Sequence, residues 1–249
     1  MFGPTYRKMN PPAVIQILRK LDKLLKAMPK LKMLDIDTEF CFLRWRQSLG
    51  KYEAPSYPTV QTLTLHLNRR QHSPDVLLSF PRLTTLVLAE PHSSLRELQD
   101  VDPATIPSTL THLRCSLWSV SWTHCIHLLP SLIPQLIKLD LHLIGPAYYG
   151  NRYRDLPGGP HVPTAGLLLA LANLPALQEL RFPMKEVYCE GLPKALLQTH
   201  RKAVAECAFR LLPSLRLLWL GMSDAKAYTA EDAEDIRAQG REVGNGWIV

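Results

Sequence analysis

The sequence has little glycine, few cysteines and no long apolar run. Glycine occurs 12 times against 21 prolines in 249 residues, so the chain is interrupted mainly by a residue that ends helices and strands. No stretch of ~18 apolar residues is present that would span a bilayer, and the N-terminus has no uninterrupted apolar signal-peptide core. We therefore expect neither a membrane protein nor a secreted one.

The five cysteines form no Cys-x-x-Cys pair, which argues against both a disulfide framework and a zinc site. The nearest metal-like cluster is His124-Cys125-Ile126-His127, and its spacing matches no strong zinc pattern. We expect no metal and no cofactor. A reducing location, the cytoplasm or the nucleus, fits this cysteine usage.

The formal charge of +7 is unevenly distributed. Residues 1–50 carry ten Lys/Arg against four Asp/Glu, whereas residues 223–249 carry three against six. The basic end could attract nucleic acid or another acidic partner, or it is simply a solvated helix face. The basic residues assigned to this predicted N-terminal helix are Arg19, Lys20, Lys23, Lys26, Lys30 and Lys32. No aromatic residues alternate with these lysines, so nucleic acid is the lesser expectation.

One short pattern recurs seven times. It begins with a proline and contains three apolar residues. Two variable residues separate the first apolar residue from the second, and one variable residue separates the second from the third. The first apolar residues are at positions 31, 60, 83, 110, 136, 177 and 215, so the spacings are 29, 23, 27, 26, 41 and 38. One copy has an extra residue after Pro107. The two long spacings require an insertion or a longer helix. The seven copies are Pro29-Lys-Leu-Lys-Met-Leu-Asp-Ile36, Pro58-Thr-Val-Gln-Thr-Leu-Thr-Leu65, Pro81-Arg-Leu-Thr-Thr-Leu-Val-Leu88, Pro107-Ser-Thr-Leu-Thr-His-Leu-Arg-Cys115, Pro134-Gln-Leu-Ile-Lys-Leu-Asp-Leu141, Pro175-Ala-Leu-Gln-Glu-Leu-Arg-Phe182 and Pro213-Ser-Leu-Arg-Leu-Leu-Trp-Leu220.

The end of each copy alternates apolar and variable residues, which predicts a short strand with one face in a core. Helical patterns precede several strands. The apolar stripe Val14, Ile17, Leu18, Leu21, Leu24, Leu25 and Met28 predicts the first helix, and 164–173 and 193–212 predict two more. A strand and a helix cannot bury their apolar faces alone, so the copies must stack. The fold predicted is α/β: a solenoid with a curved parallel sheet on its concave face and helices on its convex face.

These copies resemble the leucine-rich repeats of ribonuclease-inhibitor-like proteins, particularly the irregular repeats of fungal F-box proteins. The resemblance covers residues 12–222 and about seven irregular repeats. It implies an intracellular protein-binding function, with substrate recognition for a ubiquitin-ligase adaptor as its narrower form. The F-box that precedes the repeats in those proteins is not recognisable here.

We interpret residues 1–249 as a single leucine-rich-repeat domain. Residues 144–163, rich in Gly, Pro and Tyr, are predicted to form an inserted surface loop. Residues 223–249 are predicted to form an acidic C-terminal cap, in which Thr229 is the N-cap of a helix and Asp232 is its N3 residue. Trp247 and the two residues after it are expected to pack onto the last repeat.

The variable strand positions define a candidate partner-binding site on the concave face, and they form a grid of three columns. The predicted central column is Asp35, Thr64, Val87, Arg114, Asp140, Arg181 and Trp219. The flanking columns are Thr62, Thr85, His112, Lys138, Glu179 and Leu217 on one side and Asp37, His66, Ala89, Ser116, His142, Pro183 and Gly221 on the other. Charged, imidazole and aromatic groups concentrate in the middle and C-terminal repeats, a composition typical of interface hot spots. The alternative is that these charges only pair with one another across adjacent strands. The candidate residues are His112, Arg114, Lys138, Asp140, His142, Arg181 and Trp219.

Motifs of catalysis are absent: the sequence has no P-loop, no Gly-x-Ser-x-Gly and no His-Glu-x-x-His. Asp140 and His142 would share one strand face and could couple as base and orienter, but no nucleophile signature accompanies them. We expect no catalytic residues and no enzyme. The predicted function is a monomeric protein-protein interaction module whose partner is a protein or a peptide segment.

Overall fold

The structure is a computed structural model, and it describes residues 11–37, 56–66, 74–88, 102–117, 122–143, 164–182, 194–220 and 226–235. Eight strands within these residues form one sheet whose spatial order is the sequence order. Strands β1 to β7 are parallel, and β8 runs antiparallel to β7. The strands are β1 (Met33–Asp37), β2 (Thr62–His66), β3 (Thr85–Leu88), β4 (His112–Leu117), β5 (Lys138–Leu143), β6 (Glu179–Phe182), β7 (Leu217–Leu220) and β8 (Lys226–Thr229).

Helices precede several of the strands. They are α1 (Pro11–Lys26), α2 (Trp122–Leu132), α3 (Thr164–Leu171) and α4 (Lys194–Leu211). Before β3 and β4 the described helical segments are short 3₁₀ turns, Pro74–Ser79 and Pro103–Thr105. The 38-residue spacing holds the longest of the four helices, α4, of 18 residues. Among the described residues, no helix has the length and apolar character needed to cross a membrane.

The repeated proline occupies a defined turn position. In the fifth copy, the Leu136 N–H donates to the Ile133 carbonyl at 3.1 Å, which places Pro134 second in a four-residue turn, where its fixed φ is favourable. Equivalent bonds close the turn of every copy. In the variant copy the Leu110 N–H donates to the Pro107 carbonyl. The proline there stands first in the turn instead of second, and this shift accommodates the extra residue.

A second backbone motif fixes the register between neighbouring repeats. At the start of β5, the N–H groups of Ile137 and Lys138 both donate to the carbonyl of Thr111, at 2.8 and 3.0 Å. Ile137 in turn accepts two such bonds from Gln178 and Glu179. The pattern recurs at each of the six junctions from β1 to β7. A one-residue slip would exchange the core and solvent faces of a strand, so this ladder keeps all repeats in phase.

Alternate strand residues enter a continuous core. Leu113, Leu139 and Leu180 are register partners on β4, β5 and β6, and each is at most 1% exposed. Helix residues such as Ile126 and Leu171 belong to the same core cluster. Seven parallel strands in sequential order, each beginning at the predicted repeat, confirm the α/β leucine-rich-repeat solenoid.

At the N-terminal end, the apolar face of α1 is only partly buried. The apolar stripe that predicted this helix enters the core only in part, because Leu24 and Met28 are 55% and 41% exposed, whereas Leu25 is buried. The reason is positional: among the described residues α1 has a repeat on one side only, so the core covers only part of its apolar face. Met33, at the start of β1, is also exposed.

One side-chain contact fastens α1 to the second repeat. The Tyr57 hydroxyl donates to Asp22 Oδ1 at 2.7 Å, and the Lys26 ammonium donates to Asp22 Oδ2 at 2.9 Å. Burial, then the hydrogen bond and the charge of Asp22, raise the pKa of Tyr57 far above its ordinary value of 10.0. Tyr57 also packs against Phe80, with ring centroids 5.6 Å apart. This contact joins residues 35 positions apart and was not predicted.

After β7 the described residues continue with β8 and the helical residues 230–235. The Thr229 N–H and hydroxyl donate to Asp232 Oδ2 at 2.7 and 2.9 Å, and the Asp232 N–H donates to Thr229 Oγ1 at 3.3 Å. This reciprocal capping box confirms the predicted N-cap and N3 residues. The antiparallel strand before it was not predicted. The predicted loop 144–163 and the predicted packing of Trp247 lie outside the described residues.

Removing the capping box is expected to weaken this end in a pH-dependent way. Thr229→Ala should lower the free energy of unfolding by about 1 kcal/mol. The hydrogen bonds from Thr229 lower the pKa of Asp232 below its ordinary value of 3.8. The stabilisation is therefore present above that value and is lost as the pH falls through the lower folded-state pKa.

Urea unfolding at neutral pH and near pH 3 would measure this effect, with Asp232→Asn compared with the wild type. The gap between the two proteins should narrow in acid, because protonation of Asp232 removes the wild-type advantage. Glu231→Gln makes the same charge change at a neighbouring exposed residue and should leave a smaller gap. Equal gaps for both variants would contradict a specific role of the capping box.

Candidate functional site

The strand residues that alternate with the core residues form the exposed sheet face, which has aligned rows. The predicted central column is confirmed as one row of register partners, called here the central row. A neighbouring row, called here the first row, lies two residues earlier in each strand. The central row is Asp35, Thr64, Val87, Arg114, Asp140, Arg181 and Trp219, and the first row is Met33, Thr62, Thr85, His112, Lys138, Glu179 and Leu217.

Three charged residues of the central row form an ion-pair chain across β4, β5 and β6. Arg114 Nε lies 3.6 Å from Asp140 Oδ2, and Arg181 Nε lies 3.9 Å from Asp140 Oδ1. The Asp140 side chain is 17% exposed, whereas those of Arg114 and Arg181 are 55% and 38% exposed. The carboxylate is thus mostly covered and lies between two guanidinium groups that remain accessible to solvent.

The first row carries a second ion pair beside this chain. Lys138 Nζ lies 2.5 Å from Glu179 Oε2, and the two residues are register partners on β5 and β6. On β4, His112 Nδ1 and the Thr111 hydroxyl share a hydrogen bond of 2.8 Å. Both sets of ion pairs form because residues of opposite charge are register partners on adjacent strands. Side chains at such positions lie close enough to interact.

Trp219 continues the central row on β7, as the register partner of Arg181. Trp219 is 38% exposed, whereas its neighbours in the strand, Leu218 and Leu220, are fully buried. A large indole left on the open face offers an apolar surface beside a guanidinium. His142, the remaining candidate, pairs with Ser116 through the strand register, but its side chain lies outside the described residues.

The structure therefore brings five predicted residues, Arg114, Lys138, Asp140, Arg181 and Trp219, onto neighbouring positions of one face. His112 lies next to Lys138 in the first row. Sequence reasoning omitted Glu179 from the candidate site, although the grid placed it beside Lys138. Its opposite charge at the paired position was the signal that could have included it.

The basic helix forms a separate surface. Lys20, Lys23, Lys26, Lys30 and Lys32 are all exposed, while the side chain of Arg19 lies outside the described residues. The prediction that one helix bears all of them is wrong for Lys30 and Lys32, because α1 ends at Lys26, before Pro29. Lys26 is engaged by Asp22. Leu24 is exposed among these lysines, so the surface combines positive charge with apolar area.

The exposed sheet face carries guanidinium, ammonium, carboxylate and indole groups. No cluster of three metal-ligating side chains occurs in the described part of the chain. Asp140, considered with His142 as a base and orienter pair, forms ion pairs with Arg114 and Arg181, whereas the side chain of His142 lies outside the described residues. Those ion pairs hold the carboxylate between two cations, an arrangement suited to orienting the guanidinium groups.

Comparison with known proteins adds no argument about function. No protein-family model matches the chain, and no curated protein is similar to it. Among solved structures, the chain is similar to the leucine-rich repeat-containing protein LegL7 from Legionella pneumophila, with 16% sequence identity and a TM-score of 0.46. The similarity covers 97% of this chain and 79% of LegL7. The repeat architecture of this chain rests on its own strand order and register.

Proposed function

We propose that this chain is a protein-protein interaction module that binds another protein or a peptide segment on the exposed sheet face. The observation that carries the proposal is the aligned group of exposed Arg114, Arg181 and Trp219 across neighbouring strands. Arginine and tryptophan are enriched among residues that dominate binding energy. The proposed contact residues are His112, Arg114, Lys138, Asp140, His142, Arg181 and Trp219.

In this proposal the chain is a monomeric binding scaffold without catalysis, acting in the cytoplasm or nucleus. The resemblance of its repeats to those of fungal F-box proteins extends the proposal to substrate recognition for a ubiquitin-ligase adaptor. The support for that narrower function is the repeat form alone. Ubiquitin-ligase subunits recovered with the chain would support it directly.

A second candidate is the binding of an acidic partner, nucleic acid included, by α1. The observation that favours it is the exposure of Lys20 and Lys23 on α1 and of Lys30 in the turn that follows it. Such binding would weaken steeply with added salt, because cations on the protein replace the counterions of a polyanion. Exposed Leu24 favours an acidic protein surface over nucleic acid.

The double variant Arg114→Ala/Trp219→Ala tests the main proposal. Each truncation of a hot-spot residue typically costs about 2 kcal/mol or more of binding energy, so the partner captured from a lysate by the wild type should be lost. The matched control is Lys202→Ala/Leu169→Ala, which removes one cation and one large apolar side chain from exposed positions on α4 and α3.

Capture by the wild type and the control, but not by the double variant, would support binding on the exposed sheet face. A partner retained equally by all three proteins would contradict it. Recovery of nucleic acid alone, released from all three by raised salt, would move the binding surface to α1.

A further inference from the structure

The charges of the exposed sheet face do not balance at its centre. Three cations, Arg114, Lys138 and Arg181, face two carboxylates, Asp140 and Glu179. Lys138 and Glu179 compensate each other as a close pair, so the excess of one positive charge belongs to the central row. There, two guanidinium groups share one carboxylate.

The geometry leaves the two arginines able to accept another anion. Each approaches Asp140 through Nε at ion-pair distance, and a guanidinium carries five N–H donors. The carboxylate of Asp140 is largely covered while both arginine side chains stay exposed. Asp140 is therefore a positioning residue that orients the guanidinium groups, and a second carboxylate could bind above it in a charge-assisted contact.

Trp219 provides an apolar contact surface at a fixed distance from the two guanidinium groups. Asp140 and Trp219 are two strands apart in the central row, which corresponds to roughly 10 Å at the usual strand spacing. Beyond Trp219 the row continues with Ala227 on β8, whose small side chain leaves the indole accessible. A polyanion would meet repulsion from Asp140 and Glu179, whereas a single acidic side chain would not need to contact Glu179.

We propose that the exposed sheet face binds an extended acidic segment of a protein. An Asp or Glu side chain of that segment lies between Arg114 and Arg181, and an aromatic or apolar side chain lies against Trp219. The two side chains are roughly three residues apart if the segment has the extended polyproline II conformation, which advances about 3.1 Å per residue and returns to the same side every three residues. This inference rests on the proposed function and specifies the chemistry of its partner.

Selection from a displayed library of random twelve-residue peptides tests the inference. We expect the wild type to enrich peptides that carry an acidic residue and, roughly three residues away, an aromatic one. In a selected peptide, replacing the acidic residue by its amide should weaken binding roughly 10- to 100-fold, the effect of losing contacts to a charged group. The same peptide change should have little effect on binding to Arg114→Gln/Arg181→Gln, as a double-mutant cycle requires.

Lys202→Gln/Arg210→Gln, a pair of exposed residues on α4, is the control for the change in net charge and should bind like the wild type. The acid-to-amide change in the peptide requires no protein variant, so it is decisive even if the arginine double variant folds poorly. Peptides that depend on Trp219 but tolerate the amide would overturn the acidic preference and leave the proposed function standing. Selected peptides indifferent to every residue of the exposed sheet face would overturn both.

Discussion

Replacing Leu139 by alanine is expected to lower the free energy of unfolding by about 2–5 kcal/mol, the usual cost of truncating a fully buried leucine. Leu139 is wholly buried on β5, between its register partners Leu113 and Leu180. The cavity would open at the centre of the stack, where a repeat contacts a neighbour on each side. Because the stability of a solenoid is approximately the sum of repeat and interface contributions, one such cavity weakens two interfaces.

The repeats themselves provide the matched control. Leu34 occupies the same position of the first repeat, but it is only partly buried, and β1 pairs with β2 alone among the described strands. Leu34→Ala should therefore cost clearly less than Leu139→Ala in urea unfolding monitored by circular dichroism. Leu169→Ala, at an exposed position on α3, should change stability by less than about 0.5 kcal/mol. Equal costs at Leu34 and Leu139 would contradict the stacked arrangement.

The middle of the molecule was predictable because its repeats constrain one another. Seven copies of the same apolar spacing leave one register in which all buried residues align, and a slip in any copy would expose leucines. For this reason the central row was predicted residue by residue, including Arg114, Asp140 and Arg181. Their pairing followed from the same alignment, and it was foreseen as an alternative to partner binding. The structure shows the ion pairs, and the proposed function uses the exposed surface that these pairs leave.

The ends were less predictable because the repeat pattern no longer applies there. Leu24 and Leu25 are the same residue type at adjacent positions, yet only Leu25 is buried, since burial depends on which side of α1 has a neighbouring repeat. The contact between Asp22 and Tyr57 joins two positions with no periodic relation. Strand β8 has only four residues, of which Tyr228 alone is buried, too little for a strand pattern.

The C-terminal end is expected to depend strongly on that one tyrosine. Tyr228 is 3% exposed, belongs to the core cluster and is the register partner of Leu218 on the last parallel strand. Lys226 Nζ lies 5.2 Å from the centre of its ring, a distance at which a cation and an aromatic face attract. Tyr228→Ala should cost about 3 kcal/mol in the free energy of unfolding, as truncation of a buried aromatic does, and Lys226→Ala should cost far less.

Tyr228→Phe separates the role of the ring from that of the hydroxyl, because it keeps the ring and removes the only group of this side chain that ionises. Burial raises the pKa of Tyr228 above its ordinary value of 10.0, and the charge of Arg201 offsets part of that rise. A folded-state pKa above the unfolded one means that the stabilisation is complete below about pH 10 and is lost as the pH rises through the folded-state value. The wild type should therefore lose stability in alkali relative to Tyr228→Phe, while the two proteins unfold alike near neutral pH.

Tyr57 also has a raised pKa, but it is present in both proteins and affects their stability equally. The difference between their unfolding curves therefore reports on Tyr228 alone. If the difference did not change between neutral and alkaline pH, Tyr228 would not be buried against the last repeat, and β8 would not close the core.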